Sequence, residues 1–494
     1  MYSARLTAPG ARSFEWKGNF VALQTLKSID GWLLLMTGLI WLAFAAEGGI
    51  VRGLLAGTVG AVGVGTGVAA LLFPGDLRIP AFAGLGAVAG GIVALLGLFG
   101  FGFGSALGLG AVAALAAVAA GRLSLSWVPA TPGVPARIED VRLAAKVAAD
   151  EALLASFQLR LDLPVGAALD DAARDVLALR DWLRDSNYDD PFTYHQTPPP
   201  LESVRIRERR TLGRDYEHVS FPSEWEPWAG EPGRERWLEG AANRTAHAYV
   251  VRSDASAPWL VAINGYRMGM PLPDLAVFDP RVYCQQLGLN LLIPVLPLHG
   301  PRRTGRLSGD GYLDGDVVRF IHAEAQAMWD IRRLIGWVRS QGGDQIGTMG
   351  ISLGGYNCAL LAALEDDLAC AIAGVPVADF SRILWAHAPA GFLSGLIDRG
   401  VDRGVLDEVL RPVSPLAKPP RLSGDALAIF GGVGDRVVPP EHQRDLIEHW
   451  KPAAYCWYQG GHLSFRLESA VDGMVRSTLR EHLSSTAAPG IAAS

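Results

Sequence analysis

Between Gly31 and Gly121 the chain carries only four charged residues, Glu47, Arg52, Asp76 and Arg78. So long an uncharged run leaves almost no polar surface to face water, and it reads as helices in lipid, where every backbone polar group must be satisfied internally. A span needs about 20 apolar residues. Four candidates fit, at residues 32–46 (with a start as early as Ile29), 54–73, 81–99 and 101–120. Only the glycine break from Gly100 to Gly104 parts the last two. Glycines four apart (Gly53/Gly57, Gly86/Gly90, Gly100/Gly104/Gly108) allow close helix–helix approach. Arg5, Arg12, Lys17 and Lys27 precede the first span, and Arg122, Arg137 and Arg142 follow the last. Basic residues mark the cytoplasmic side, so both ends sit there, which four spans permit and three do not. A signal peptide ending near Ala43-Phe44-Ala45 is the weaker reading, because its charged lead is too long and three apolar spans would remain.

The Pro-rich stretch Trp127–Pro135 ends this region. Two amphipathic helices follow, one with Val141, Ala145, Ala148, Ala152, Ala155 and Leu159 at spacings of three and four, the other with Leu169, Ala173, Val176 and Leu183. Both suit plain packing; their apolar faces also suit a membrane surface or the domain that follows. After Pro198-Pro199-Pro200 the pattern becomes alternating strand and helix. Strands are expected at residues 204–210, 216–221, 245–252, 259–264, 290–296, 345–349, 369–375, 426–431 and 454–458. Helices are expected around 277–287 and across Phe320, Ala327, Ile331, Leu334 and Val338. Such alternation predicts a mostly parallel sheet covered on both faces, with antiparallel strands added at its start. The expected division is a cytoplasmic segment (1–30), a transmembrane domain (31–122), a linker with amphipathic helices (123–202), a catalytic domain (203–483) with a cap inserted at about 380–422, and a flexible tail (484–494).

Within this domain Gly350-Ile351-Ser352-Leu353-Gly354 fits the G-x-S-x-G nucleophile elbow, which presents a serine at a sharp turn from strand to helix. Its context fits: an apolar segment precedes it and the Ala/Leu-rich run Tyr356–Leu364 follows. A serine hydroxyl needs a base, and the base needs an orienting carboxylate. With the chain order Ser, acid, His, His462 in Gly460-Gly461-His462 is the base, directly after the last strand. Asp435, in the Gly-rich turn after the preceding strand, is the acid, with Asp379 the runner-up; loop capping is the alternative role for either. His387, in the insertion after Asp379, is placed to touch substrate. The oxyanion hole is assigned to the backbone N–H groups of Leu353 and Tyr266, with Gly265 as alternative to Tyr266. Asn264 braces that loop, and His299 either lines the pocket or pins its own loop. Arg302 and Arg303 either meet an anionic group or sit in a solvated loop.

The four cysteines (Cys284, Cys358, Cys370, Cys456) form no C-x-x-C pair and lie in apolar segments, so they read as buried thiols. No metal ligand set and no cofactor motif is expected. The net charge of −6 offers no footprint for nucleic acid.

These residues, in this order, resemble the α/β-hydrolase superfamily over roughly residues 200–483. The strings Trp259–Gly269, Pro294–Arg302 and Gly350–Tyr356 are similar to a bacterial, membrane-anchored branch of it. The Pro-Leu-His-Gly-Pro-Arg element is similar to the group named for α/β-hydrolase domain-containing protein 18. The resemblance implies Ser352 as nucleophile, Asp435 as acid and His462 as base. One departure is Asn264-Gly265 where many relatives carry His-Gly, which leaves the backbone donors in place. The expected function is a membrane-anchored serine hydrolase of carboxylic esters or thioesters, with a small-molecule or lipid ester as substrate and membrane lipids as surroundings. Alternatives are an acyltransferase using the same acyl-enzyme and a non-catalytic binding module. In the cap, Ile383, Leu384, Trp385, Phe392, Leu393, Leu396 and Ile397 suit a lid over an acyl chain or ordinary helix packing, with Trp385 a candidate for the substrate pocket.

Overall fold

Helices α1 (Ile29–Ala46), α2 (Ile50–Leu72), α3 (Arg78–Gly97) and α4 (Phe103–Trp127) open the computed structural model, which describes residues 28–483. The basic residues expected before the first span, and the tail after 483, lie outside the described residues. All four helices are long and apolar enough to cross a membrane. Ser28 caps α1 by accepting a hydrogen bond from Gly31 N at 3.1 Å. The tight crossings match those expected only in part: a Cβ on Gly86 would meet Val62 at 2.7 Å and one on Gly90 would meet Trp41 and Val59 at 3.2 Å, but the closest approaches lie elsewhere. A Cβ on Gly38 would lie 2.3 Å from Val64 N, and one on Gly67 2.4 Å from Leu35 N, so α1 and α2 meet backbone to backbone there. Gly53, Gly100, Gly104 and Gly108 face open space instead. A four-residue spacing puts glycines on one helix face but does not choose which face meets a neighbour.

The connector divides between two compact units. Among the described residues the first holds 28–129 and 139–155, the second 130–138 and 156–483. Helix α5 (Val141–Gln158) gives most of its length to the first unit. Its carbonyls pass so close to α4 that a Cβ on Gly121 would lie 1.9 Å from Ala144 O. Its buried stripe is Leu143, Ala144, Val147, Ala148, Ala152 and Ala155, whereas Val141, Ala145 and Leu159, expected on that face, are exposed. Helix α6 (Ala167–Ser186) belongs to the second unit, where Leu169, Ala173, Val176, Leu179 and Leu183 enter the core.

The second unit is built on nine strands: β1 (Arg205–Thr211), β2 (Arg214–Pro222), β3 (Thr245–Val251), β4 (Trp259–Ile263), β5 (Asn290–Val295), β6 (Ile346–Ile351), β7 (Cys370–Gly374), β8 (Leu427–Gly432) and β9 (Ala454–Tyr458). Their order is β1-β2-β3-β5-β4-β6-β7-β8-β9. Pairing is antiparallel from β1 through β3 to β5 and parallel from there on. This is the α/β-hydrolase fold. Strands β4 to β8 are buried along their whole length, as a sheet covered on both faces requires. Between β4 and β6 the strand order reverses, and a crevice opens outside the carboxyl ends of strands at such a point.

The helix expected around 277–287 is found as two pieces, α7 (Pro271–Val277) and a separate short π-helix at Arg281–Gln286. Pro271 favours a helix start, and Pro280 stops it from running on. Helix α8 (Val317–Ser340) covers one face; the fully buried α9 (Leu353–Leu364) follows β6. The insertion forms α10 (Phe380–His387), α11 (Ala390–Ile397) and α12 (Arg403–Leu410). Helices α13 (Glu441–Trp450) and α14 (Ser469–His482) complete the layers.

Candidate active site

Ser352 stands where β6 ends and α9 begins, with φ 60° and ψ −117°, a conformation that costs a residue with a Cβ about 1–3 kcal/mol. The turn is held by sterics that admit only glycine around it. A Cβ on Gly350 would lie 1.8 Å from Gly354 O, and one on Gly354 1.9 Å from Ile263 O. Ser352 N donates to Gly374 O at 2.9 Å, tying the elbow to β7. Parallel pairing of Ile263 with Gly350 brings the loop after β4 beside the elbow. A Cβ on Gly265 would sit 3.4 Å from Ser352 Cβ. Among the described residues no acceptor takes the N–H of Leu353 or of Tyr266, so both remain available to a developing oxyanion.

The candidate acid and base follow neighbouring parallel strands, β8 and β9. Val433 N donates to Tyr458 O at 3.0 Å and Gly434 N to Gly460 O at 2.9 Å, stitching the turn after β8 to the loop after β9. Asp435 is buried there. Its Oδ1 accepts from the N–H groups of Val437 (3.0 Å) and Val438 (2.8 Å), and its Oδ2 lies 2.8 Å from His462 Nδ1. A carboxylate flanked by two backbone donors and one imidazole holds the proton on Nδ1 and leaves Nε2 as the basic nitrogen. The Ser352 hydroxyl makes no hydrogen bond among the described residues. Such contacts often tighten only when substrate binds.

The other candidates separate by environment. Asp379 caps α10, accepting from Arg382 N at 3.0 Å, and pairs with Arg382 and Arg403, which is the capping role. Arg302 is a correction: it is fully buried, 2.9 Å from Asp330 and bonded to the carbonyls of Val295 and Asn243, so neither an anionic ligand nor solvent reaches it. Arg303 is exposed. His299 is buried and donates from Nδ1 to Pro297 O at 2.9 Å. Burial pushes its imidazole down to about 4, so it is a neutral wedge between the rings of Tyr266 and Tyr312. His387 donates to Val437 O at 2.9 Å, which links α10 to the acid turn. Trp385 is half-buried and packs on the main core. Phe392 and Leu396 of α11 are buried, and a Cβ on Gly395 would meet Leu169 of α6 at 2.7 Å, so packing accounts for them. The four cysteines are free thiols. Among the described residues no cluster of His, Cys, Asp or Glu is grouped to hold a metal ion.

One group escaped sequence reasoning. Asp274 on α7 is fully buried under the loop that carries Tyr266; its Oδ1 accepts from Gly269 N at 2.9 Å, and the buried Asn264 amide faces it. Tyr249 donates to Gly269 O at 3.1 Å from the other side. The signal was a lone carboxylate in the apolar run Met268–Val277. Burial raises this carboxyl to about 7 against the backbone donors of Gly269 and Met270. The folded state therefore holds this proton more tightly than the unfolded chain. The stability it confers is full below about pH 4 and is lost as pH rises toward 7, by at most about 4 kcal/mol. Asp274→Asn, which cannot ionise, is expected to gain stability relative to wild type across that window, read from denaturant midpoints at both ends. Parallel curves for the two proteins would mean the carboxyl does not titrate there.

No family model matches the chain. Among solved structures it is similar to acetyl xylan esterase 1 from Thermoanaerobacterium sp. JW/SL YS485, at 14% identity and TM-score 0.41, covering 65% of this chain and 98% of that one. It is also similar to an acylaminoacyl peptidase from Pyrococcus horikoshii, at 15% identity and TM-score 0.35, covering 59% and 43%. Two sequences from Mycobacterium tuberculosis are nearer. Uncharacterized protein MT2702 (strain CDC 1551 / Oshkosh) is 37% identical over 352 residues, 69% of this chain and 83% of that protein. Uncharacterized protein Rv2627c (strain ATCC 25618 / H37Rv) is 36% identical over 347 residues, with the same coverage. With that identity over most of their length, the chain belongs to the family of these two mycobacterial proteins.

Proposed function

We propose that this protein is a serine hydrolase that cleaves carboxylic esters or thioesters through an acyl-enzyme on Ser352, and that its four apolar helices anchor it in the cell membrane with the catalytic unit on the cytoplasmic side. The observation that carries the reading is the 2.8 Å contact of Asp435 with His462 Nδ1, at the sheet edge where Ser352 stands. In the proposed reaction His462 Nε2 takes the Ser352 proton as Oγ attacks the carbonyl carbon. The carbonyl electron pair becomes an oxyanion facing Leu353 N–H and Tyr266 N–H. Collapse expels the alcohol or thiol, which leaves with the proton from the imidazolium. Water, deprotonated by the same nitrogen, then releases the acid and restores Ser352. Asp435 holds the proton on Nδ1 throughout. No group outside the chain is required. The Pro297–Arg302 element supports placing the chain near the α/β-hydrolase domain-containing protein 18 group. The lipid setting supports a lipid-derived ester as substrate, and Asn264, His299 and Trp385 as residues at or behind its pocket.

The test is labelling of detergent-solubilised protein with a fluorophosphonate probe. Wild type is expected to label and Ser352→Ala to stay blank. Absence of label on folded wild type, or equal label on the variant, would reject Ser352 as an activated nucleophile.

A further inference from the structure

The β1–β2 hairpin carries two features that folding does not ask for. The first is its tip. Thr211 pairs with Arg214 across a two-residue turn, with Leu212 at φ 46° and Gly213 at φ 79°. A turn with both central residues at positive φ favours Asn-Gly or Asp-Gly. Leucine there is strained, with no polar side chain to bond its own backbone. It is also 81% exposed, so the fold repays neither the strain nor the apolar surface.

The second feature is the charge on β1, an edge strand whose residues are nearly all exposed. Arg205, Arg207 and Arg209 alternate onto one face, about 7 Å apart. The other face holds Ile206, Glu208 and Arg210. Register sets Ser220, His218 and Tyr216 beside the three arginines. Burial, then Arg209 and Arg207, push His218 toward its neutral form, which places its ring on the same face. Among the described residues no carboxylate pairs with Arg205, Arg207 or Arg209, whereas Arg210 and Arg214 have Asp215 and Asp279. Charge on an edge strand guards against aggregation, but that purpose does not require one sign on one face.

We propose that this hairpin is a docking surface for the anionic headgroups of a lipid bilayer, with the arginine row on the phosphates and Leu212 at the acyl boundary. The proposal rests on the membrane-anchored reading above, which keeps a bilayer at high local concentration. Arginine forks match phosphate oxygens. An apolar tip beside basic residues is what an interfacial element needs. Nucleic acid would meet the arginines but has no use for the leucine. A second copy paired edge to edge would set like charges opposite one another.

The test uses the full chain with an environment-sensitive nitrobenzoxadiazole probe on Leu212→Cys in a Cys456→Ser background. The protein is placed in nanodiscs of phosphatidylcholine alone or mixed with phosphatidylglycerol. Co-elution with the discs reports anchoring by itself, so failure of the underlying reading is seen separately. The expected result is a blue shift in the anionic discs only. High salt abolishes it, and so does the joint replacement of Arg205, Arg207 and Arg209 by Gln. Equal emission in both discs, or a shift indifferent to salt and to the three replacements, overturns the proposal. A shift that appears only on adding an oligonucleotide, or that grows with protein concentration in detergent, also overturns it, in favour of nucleic acid or a second copy.

Discussion

His462→Ala is expected to lower kcat on a p-nitrophenyl ester by about a millionfold, Ser352→Ala by as much, and the double replacement by no more. In the proposed mechanism the two side chains act in one proton transfer. Once either is gone, the other has nothing left to do. What would remain is the stabilisation proposed for Leu353 N–H and Tyr266 N–H, which neither replacement touches. The measurement is steady-state hydrolysis by the three variants and wild type, with thermal unfolding to show intact folds. Losses that multiply in the double variant would mean that the residues act separately, and a loss of only about tenfold would exclude the proposed nucleophile.

Asp435→Asn is expected to cost about 10⁴-fold in kcat with little loss of stability. The Asn side chain keeps one oxygen, and the N–H groups of Val437 and Val438 hold it where Asp435 Oδ1 now lies. That turns the amide NH₂ toward His462 Nδ1. Nδ1 must then accept, so the proton moves to Nε2, the nitrogen that has to receive the Ser352 proton. The signature is a low kcat at neutral pH that partly recovers at high pH, where hydroxide can assist. An Asp435→Asn enzyme within tenfold of wild type would point to another acid. Asp379 is not placed to substitute, because it caps α10 and is engaged by two arginines.

The nine strands were legible because their cause is local. Apolar runs such as Trp259–Ile263 and Cys370–Gly374 are too short for helices, and Gly and Pro bound them. The elbow was legible for the same reason, since its glycines answer to clashes within a few residues of Ser352. The positions of the four apolar helices followed from apolar runs parted by charged residues or, for the last two, by a glycine break. The pairing of Asp435 with His462 is different in kind. Sequence order could nominate both residues, but 27 positions separate them, and the contact exists because β8 and β9 lie side by side and their loops share two backbone hydrogen bonds. The capping role of Asp379 likewise became visible only with α10 and its arginines in place.

Elsewhere, folding reassigned residues that look alike in one dimension. Arg302 and Arg303 are adjacent in sequence, yet one is buried against Asp330 and the other is exposed. Of the glycine-rich helices, Gly38 and Gly67 meet a neighbour and Gly104 and Gly108 do not. Helices α5 and α6 read as a matched pair, yet they serve different units. Asp274 would pass for a loop residue but lies at the base of the Tyr266 loop with its carboxyl out of water. Periodicity and punctuation act over a turn or a strand, so composition and spacing specify elements and the residue types a reaction needs. Burial, ion pairing and the meeting of distant loops depend on which faces pack together, and that is a property of the assembled sheet and its helices.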